Sequence, residues 1–122
     1  MDNAATTPLS ESAREAMLPF LDGRYGNPSS LYSIGQDART ALDKAREACA
    51  AVLGCRPGEV IFTSGATESI NLAICGTARL LKEKGRHLIT SPVEHHAVLR
   101  SFEYLVNKEG FELTTLPVDV DG

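Results

Sequence analysis

An α/β fold built on a parallel sheet is what this chain of 122 residues predicts, and three observations carry the prediction. From residue 60 onwards, short β-branched runs alternate with long runs of helical period, the order of successive β-α-β units. Glycine or proline stands at most junctions between those runs. Hydrophobic residues make up 43% of the chain, enough for a core, yet no stretch approaches the ~20 apolar residues of a membrane span.

Taken in order, Thr7-Pro8 opens a helix running to about residue 22, because threonine caps a helix and proline suits its first position. Ala13, Ala16, Met17 and Phe20 share one face of it. Residues 23–30 (GRYGNPSS) form a loop. Residues 33–53 form a long amphipathic helix, with Ile34, Ala38, Ala41, Leu42, Ala45, Cys49, Val52 and Leu53 at helical spacing and Gly54 ending it. Arg56-Pro57-Gly58 turns the chain into Val60-Ile61-Phe62-Thr63, which reads as a buried strand.

Ser64-Gly65-Ala66 then leads into a helix over about 67–84, with Gly85 as its C-cap. A strand at 87–90, a loop at 92–94, a helix at 95–108 and a third strand at 112–116 complete the order. The chain divides into an N-terminal irregular and helical segment, 1–58, and the start of an α/β domain, 59–122, which is incomplete because three parallel strands make a partial sheet.

Charge and cysteine content narrow the function. The net charge is −4, the pI about 5.3, and the basic residues are scattered, which disfavours a nucleic-acid partner. The first residues lack a basic region followed by an apolar one, so no secretory signal is expected. Cys49, Cys55 and Cys75 are odd in number and lack CxxC spacing, which argues against a disulfide framework or a zinc site. Cys49 and Cys75 sit in alanine-rich helical runs, where cysteine serves as a small buried hydrophobe, and Cys55 lies in a turn. A reducing, cytoplasmic setting fits.

Chemistry concentrates in two turns. At residues 62–69 (FTSGATES) a strand runs through a glycine turn into a helix whose first residues carry hydroxyls. The unpaired N–H groups and the dipole of such a helix end favour an anion, particularly a phosphate, with Ala66 offering its amide and Thr67 an amide and a hydroxyl. The competing reading is a capping box in which Ser64 or Gly65 caps the helix and Thr67 and Glu68 stabilise its first turn. Neither a Walker A loop nor GxGxxG is present.

Glu94-His95-His96 forms the second turn, at the carboxyl end of the following strand, where open parallel sheets bind ligands. An imidazole there can stack on an aromatic cofactor or pass protons. Two adjacent histidines can also ligate a metal, but no third ligand has matching spacing. Residues 3–8 and 27–30 are polar, turn-forming segments that read as ordinary loops and caps.

Four motifs in order, DNAATTP at 2–8, GNPSS at 26–30, FTSGATESIN at 62–71 and VEHHAVL at 93–99, resemble the cysteine desulfurases. These belong to the class V aminotransferase-like branch of fold-type I pyridoxal-phosphate (PLP) enzymes, and the SGATES wording is closest to the nitrogen-fixation and iron–sulfur-cluster subgroup. The resemblance implies a fold-type I PLP-binding domain, phosphate binding by Ala66 and Thr67, and a stacking, proton-handling role for His95. His96 receives no role, and Asn3 to Thr6 are placed near the substrate.

It also implies a reaction that takes sulfur from L-cysteine, leaving alanine and an enzyme persulfide. The acceptor is an iron–sulfur scaffold or another sulfur-acceptor protein, and the working enzyme is a homodimer. The lysine that holds the cofactor, the aspartate on its pyridine nitrogen and the nucleophilic cysteine lie, in the family, beyond the span matched here. Lys44, Lys82, Lys84 and Lys108 fall on helical stretches outside the motifs, and none of the three cysteines matches the nucleophile's loop. The chain is therefore expected to be the amino-terminal portion of a desulfurase, inactive and weak in cofactor binding by itself. A selenocysteine lyase, an aminotransferase and a non-catalytic module are the competing readings.

Overall fold

The computed structural model describes Asn3 and residues 5–122. Two compact units, Met1–Ile61 and Phe62–Gly122, divide the chain.

In the first unit, α1 spans Glu11–Asp22 and α2 spans Ser33–Leu53. The first helix starts later than its Thr7-Pro8 signal predicts. Ser10 is the cap: its hydroxyl accepts the Ala13 amide at 3.3 Å, so the three preceding residues stay outside the helix. No α1 residue is buried, and Met17, Leu18, Phe20 and Leu21 are exposed.

α2 keeps its predicted bounds and ends at Gly54 in the left-handed conformation, with its N–H on the Ala50 carbonyl. The loop before it folds tightly onto its first turn. A Cβ on Gly35 would stand 1.9 Å from Ser30 Oγ and 2.5 Å from the Asn27 carbonyl oxygen, so only glycine admits this approach. A 3-10 turn, Pro57–Glu59, packs against α2, and Arg46 reaches from α2 to the Val60 carbonyl at 3.2 Å.

Residues 60–63 do not form the predicted strand. Val60 has extended dihedrals (φ −90°, ψ 120°), but the segment is not part of a ladder. Its β-branched residues supply the right local backbone preference, whereas a strand also requires a hydrogen-bonding neighbour. Among the described residues the sheet has two strands, not three.

The second unit contains α3 (Ala66–Leu81), β1 (His87–Thr90), α4 (His96–Glu109) and β2 (Glu112–Thr115). β1 and β2 pair in parallel, with His87 opposite Glu112 and Thr90 opposite Thr115. The crossover between them is α4, whose Leu105 is fully buried against Cys75, Ala78 and Phe111, with Ile74 and Leu88 at the margin. α3 stops three residues before its predicted end. Lys82 closes it in right-handed geometry, and Gly85 lies in the connection rather than capping the helix.

Candidate functional site

The amino end of α3 is an exposed, uncapped helix terminus. Gly65 occupies the N-cap with extended dihedrals, no side chain caps the end, and a Cβ on Gly65 would meet nothing within 4 Å. The helical ladder begins with the Ser69 amide on the Gly65 carbonyl at 3.1 Å. The amides of Ala66, Thr67 and Glu68 therefore precede it and face out of the helix end.

Side chains stitch the turn in front of these amides. Glu68 Oε2 accepts both the amide and the hydroxyl of Ser64, each at 2.7 Å. Thr63 Oγ1 donates to the Gly65 carbonyl at 3.2 Å and shares a 2.7 Å bond with Ser69 Oγ. The Ser64 amide, and after it the hydroxyl, hold the Glu68 carboxyl below the usual carboxylate range. The expected capping box is not formed: Glu68 reaches back past the cap to Ser64, and the cap itself is a glycine with no side chain to offer.

His95 is the N-cap of α4. Its Nδ1 accepts the Ala97 amide at 3.0 Å, which fixes the ring and leaves Nε2 as the protonated nitrogen of the neutral imidazole. The ring is exposed, and that of His96 lies 6.4 Å away, tilted by 59°.

Hydrogen bonds connect the two turns. Asn71 Nδ2 donates to the Thr67 carbonyl at 2.8 Å, and its Oδ1 faces the Ser101 hydroxyl of α4 at 3.2 Å. Near the other end of the same helices, Arg79 forms a bidentate pair with Glu109, the shortest contact being 2.6 Å. In the sequence Asn71 stands inside a motif without a role of its own, and nothing in it marks Ser101 as its partner. The available signal was a serine among the apolar residues of α4.

The remaining predicted residues are placed as follows. Asn3 and Thr6 belong to the first unit, and Ala4 lies outside the described residues. Asn27 makes a local turn by accepting the Ser29 amide at 2.9 Å. Lys44 and Lys108 are helical as predicted, whereas Lys82 and Lys84 sit in the turn after α3. Cys75 is buried as predicted, but Cys49 is exposed because its side of α2 has no cover among the described residues. Among those residues no group of three or more His, Cys, Asp and Glu can hold a metal, and no helix is long and apolar enough to cross a membrane. An apolar groove along α3, by Leu81, Leu88, Phe102 and Phe111, shares no residue with either turn.

Chemically, outward-facing amides, a neighbouring threonine hydroxyl and a positive helix end suit a phosphate dianion. An oriented, exposed imidazole suits the face of an aromatic ring. This donor set fits PLP, with the Glu68 charge turned back onto Ser64. Fold and site together define an α/β protein in which a helix terminus with no side-chain cap and a histidine-capped helix end lie on neighbouring helices. The chain belongs to the class V aminotransferase family, whose model matches residues 1–122. Among curated relatives, "Cysteine desulfurase IscS" of Dictyoglomus turgidum is 54% identical over 122 residues, covering all of this chain and 31% of that protein. A solved structure named "NIFS-LIKE PROTEIN" superposes with a TM-score of 0.88 at 43% identity, over 97% of this chain and 32% of that one. Another, "SspA in complex with cysteine", gives 0.84 at 42% identity, over 94% and 33%. The chain thus spans about a third of the length of the relatives it matches.

Proposed function

We propose that this chain supplies the phosphate cradle and the stacking imidazole of a PLP-dependent cysteine desulfurase. The observation that carries the reading is the pairing of an uncapped α3 terminus with His95 at the cap of the adjacent α4, in a chain closely similar to named desulfurases. Ala66 and Thr67 bind the cofactor phosphate through their amides and the Thr67 hydroxyl. His95 lies against the pyridine ring and presents Nε2–H. With Nδ1 engaged by the Ala97 amide, the ring acts first as an oriented donor. Carrying a proton through both nitrogens requires Nδ1 to release that amide.

PLP, when bound, supplies the electron sink for chemistry at the α-carbon of an amino acid. The substrate is L-cysteine, a choice supported by the cysteine complex of one structural relative. Its sulfur leaves for an enzyme persulfide, alanine is released, and an iron–sulfur scaffold or other acceptor protein takes the sulfur. The working enzyme is a homodimer in a reducing, cytoplasmic setting, with the PLP-binding domain beginning near residue 59. The test is cysteine-dependent sulfide release by the full-length protein loaded with PLP, with a dithiol present to reduce the enzyme persulfide to sulfide and alanine quantified alongside. Equal amounts of sulfide and alanine, reduced by His95→Asn and Thr67→Ala, support the reading. Absence of a protein-bound visible band, or consumption of an amino donor other than cysteine alone, overturns it.

A further inference from the structure

α3 and α4 run parallel and in step. Asn71 and Ser101 are each the sixth residue of their helix, and Arg79 and Glu109 are each the fourteenth. Both pairs are separated by 30 residues in sequence. Ties of equal offset at two heights prevent one helix from sliding along the other. Gly65, the cap of α3, is therefore level with His95, the cap of α4. Neighbouring helix axes lie about 8–10 Å apart, and the upper tie sits roughly 8 Å below the helix ends at 1.5 Å per residue.

Resting on the function proposed above, we infer that Asn71 and Ser101 are positioning residues that set the height of the His95 ring against the phosphate cradle. The bonds form one path. The Thr67 carbonyl accepts from Asn71 Nδ2, and Asn71 Oδ1 accepts from the Ser101 hydroxyl. That hydroxyl also donates to the Ala97 carbonyl at 2.7 Å, and the Ala97 amide donates to His95 Nδ1. Ser101 has one proton for two acceptors, so the shorter branch to Ala97 dominates and the 3.2 Å branch is the weaker.

Ser101 is 2% exposed on a helix face that otherwise buries Leu105. A serine bonded only to its own helix would satisfy itself through Ala97 and need no partner. Asn71, however, is oriented from both sides: its donor is committed to Thr67 and its acceptor is turned to α4. Assembly of the two helices does not depend on this strut, because the Arg79–Glu109 pair and the apolar core also hold them. The strut joins the residue that binds phosphate to the residue that meets the ring.

The experiment uses the full-length protein and compares Asn71→Ala, Asn71→Asp, Ser101→Ala, Ser101→Thr and Glu109→Gln. Amide exchange at Ala97 is read without cofactor, because it reports the His95 cap directly. It should quicken by about tenfold in N71A and S101A, return towards wild type in S101T, and stay at the wild-type rate in E109Q, which weakens the distant tie alone by removing its charge. With PLP added, N71A and S101A should weaken the visible circular dichroism of the bound cofactor, which E109Q leaves unchanged. Asn71→Asp keeps the acceptor and loses the Thr67 donor, and it serves if N71A does not fold. Wild-type Ala97 exchange in N71A or N71D and in S101A, with only thermal stability lowered as in E109Q, overturns the strut. Failure of the wild-type protein to bind PLP overturns the proposed function instead, and leaves the exchange result to decide the strut.

Discussion

The carboxylate of Glu68 reaches back one turn and takes both the amide and the hydroxyl of Ser64, each at 2.7 Å. A negative charge is thereby fixed at the positive end of α3. Glu59 and Glu109 are held below the ordinary carboxylate value in the same way, by Arg56 and Arg79 respectively. A depressed folded-state value means stability that is present above the unfolded value and lost as pH falls through the folded one. Denaturant midpoints should therefore hold steady above pH 4.5, the ordinary value, and decline below it. Glu68→Gln combined with Glu109→Gln should flatten that decline, and an unchanged slope would contradict the assignment.

Removing the hydroxyl at residue 67 leaves the backbone amides in place. Thr67→Ala should weaken binding of inorganic phosphate several-fold without abolishing it, a loss on the order of 1 kcal/mol for one neutral hydrogen bond. Titration calorimetry against phosphate separates this from the bland alternative, in which affinity is unchanged because the hydroxyl faces only water.

His95 caps α4 and, in the proposed function, also meets the cofactor ring, and one substitution divides the two. Asparagine is among the best N-cap residues, so His95→Asn should keep the α4 cap and leave the melting temperature near wild type. His95→Ala should lose about 1 kcal/mol of stability with the cap. Both should lose the ring and, with it, roughly 10²–10⁴-fold in turnover. Equal turnover in H95N and wild type would remove the imidazole from the chemistry.

Leu105 is fully buried between the two helices and the sheet. Leu105→Ala should cost about 2–5 kcal/mol, measured by chemical unfolding, as expected for a buried leucine. The same change at Leu80, which is 81% exposed, should cost far less.

Gly35 tests the close packing of the loop before α2. Gly35→Ala places a methyl group 1.9 Å from Ser30 Oγ and 2.5 Å from the Asn27 carbonyl. The loop must move, at about 1–3 kcal/mol. Gly58→Ala, where a Cβ meets nothing within 4 Å, is the matched control.

Local signals were legible in the sequence where one residue decides an outcome. Gly54 ended α2 at the predicted position because only a left-handed residue could turn there, and the 3.6-residue period of 33–53 needed no tertiary help. The start of α1 was misread because Thr7 and Ser10 are both competent caps, and propensity alone does not rank them. Residues 60–63 and Cys49 failed for a different reason. Pairing and burial depend on what lies alongside in space, which sequence periodicity does not report. The two turns of the site were readable as separate motifs for the same local reason. Their common height was not, because it rests on Asn71 meeting Ser101 across 30 residues.

The parallel course of α3 and α4 has an electrostatic consequence. Antiparallel neighbours cancel one another's dipoles, but here two helix ends, each equivalent to roughly +0.5 elementary charge, are held side by side. The Glu68 carboxylate offsets part of this like-charge repulsion at α3, and an anion arriving at the shared end would offset more of it. In the proposed function, phosphate would then act as a counterion to the architecture as well as a ligand of two amides. The folded unit should consequently gain more from a dianion than from a monoanion of the same shape.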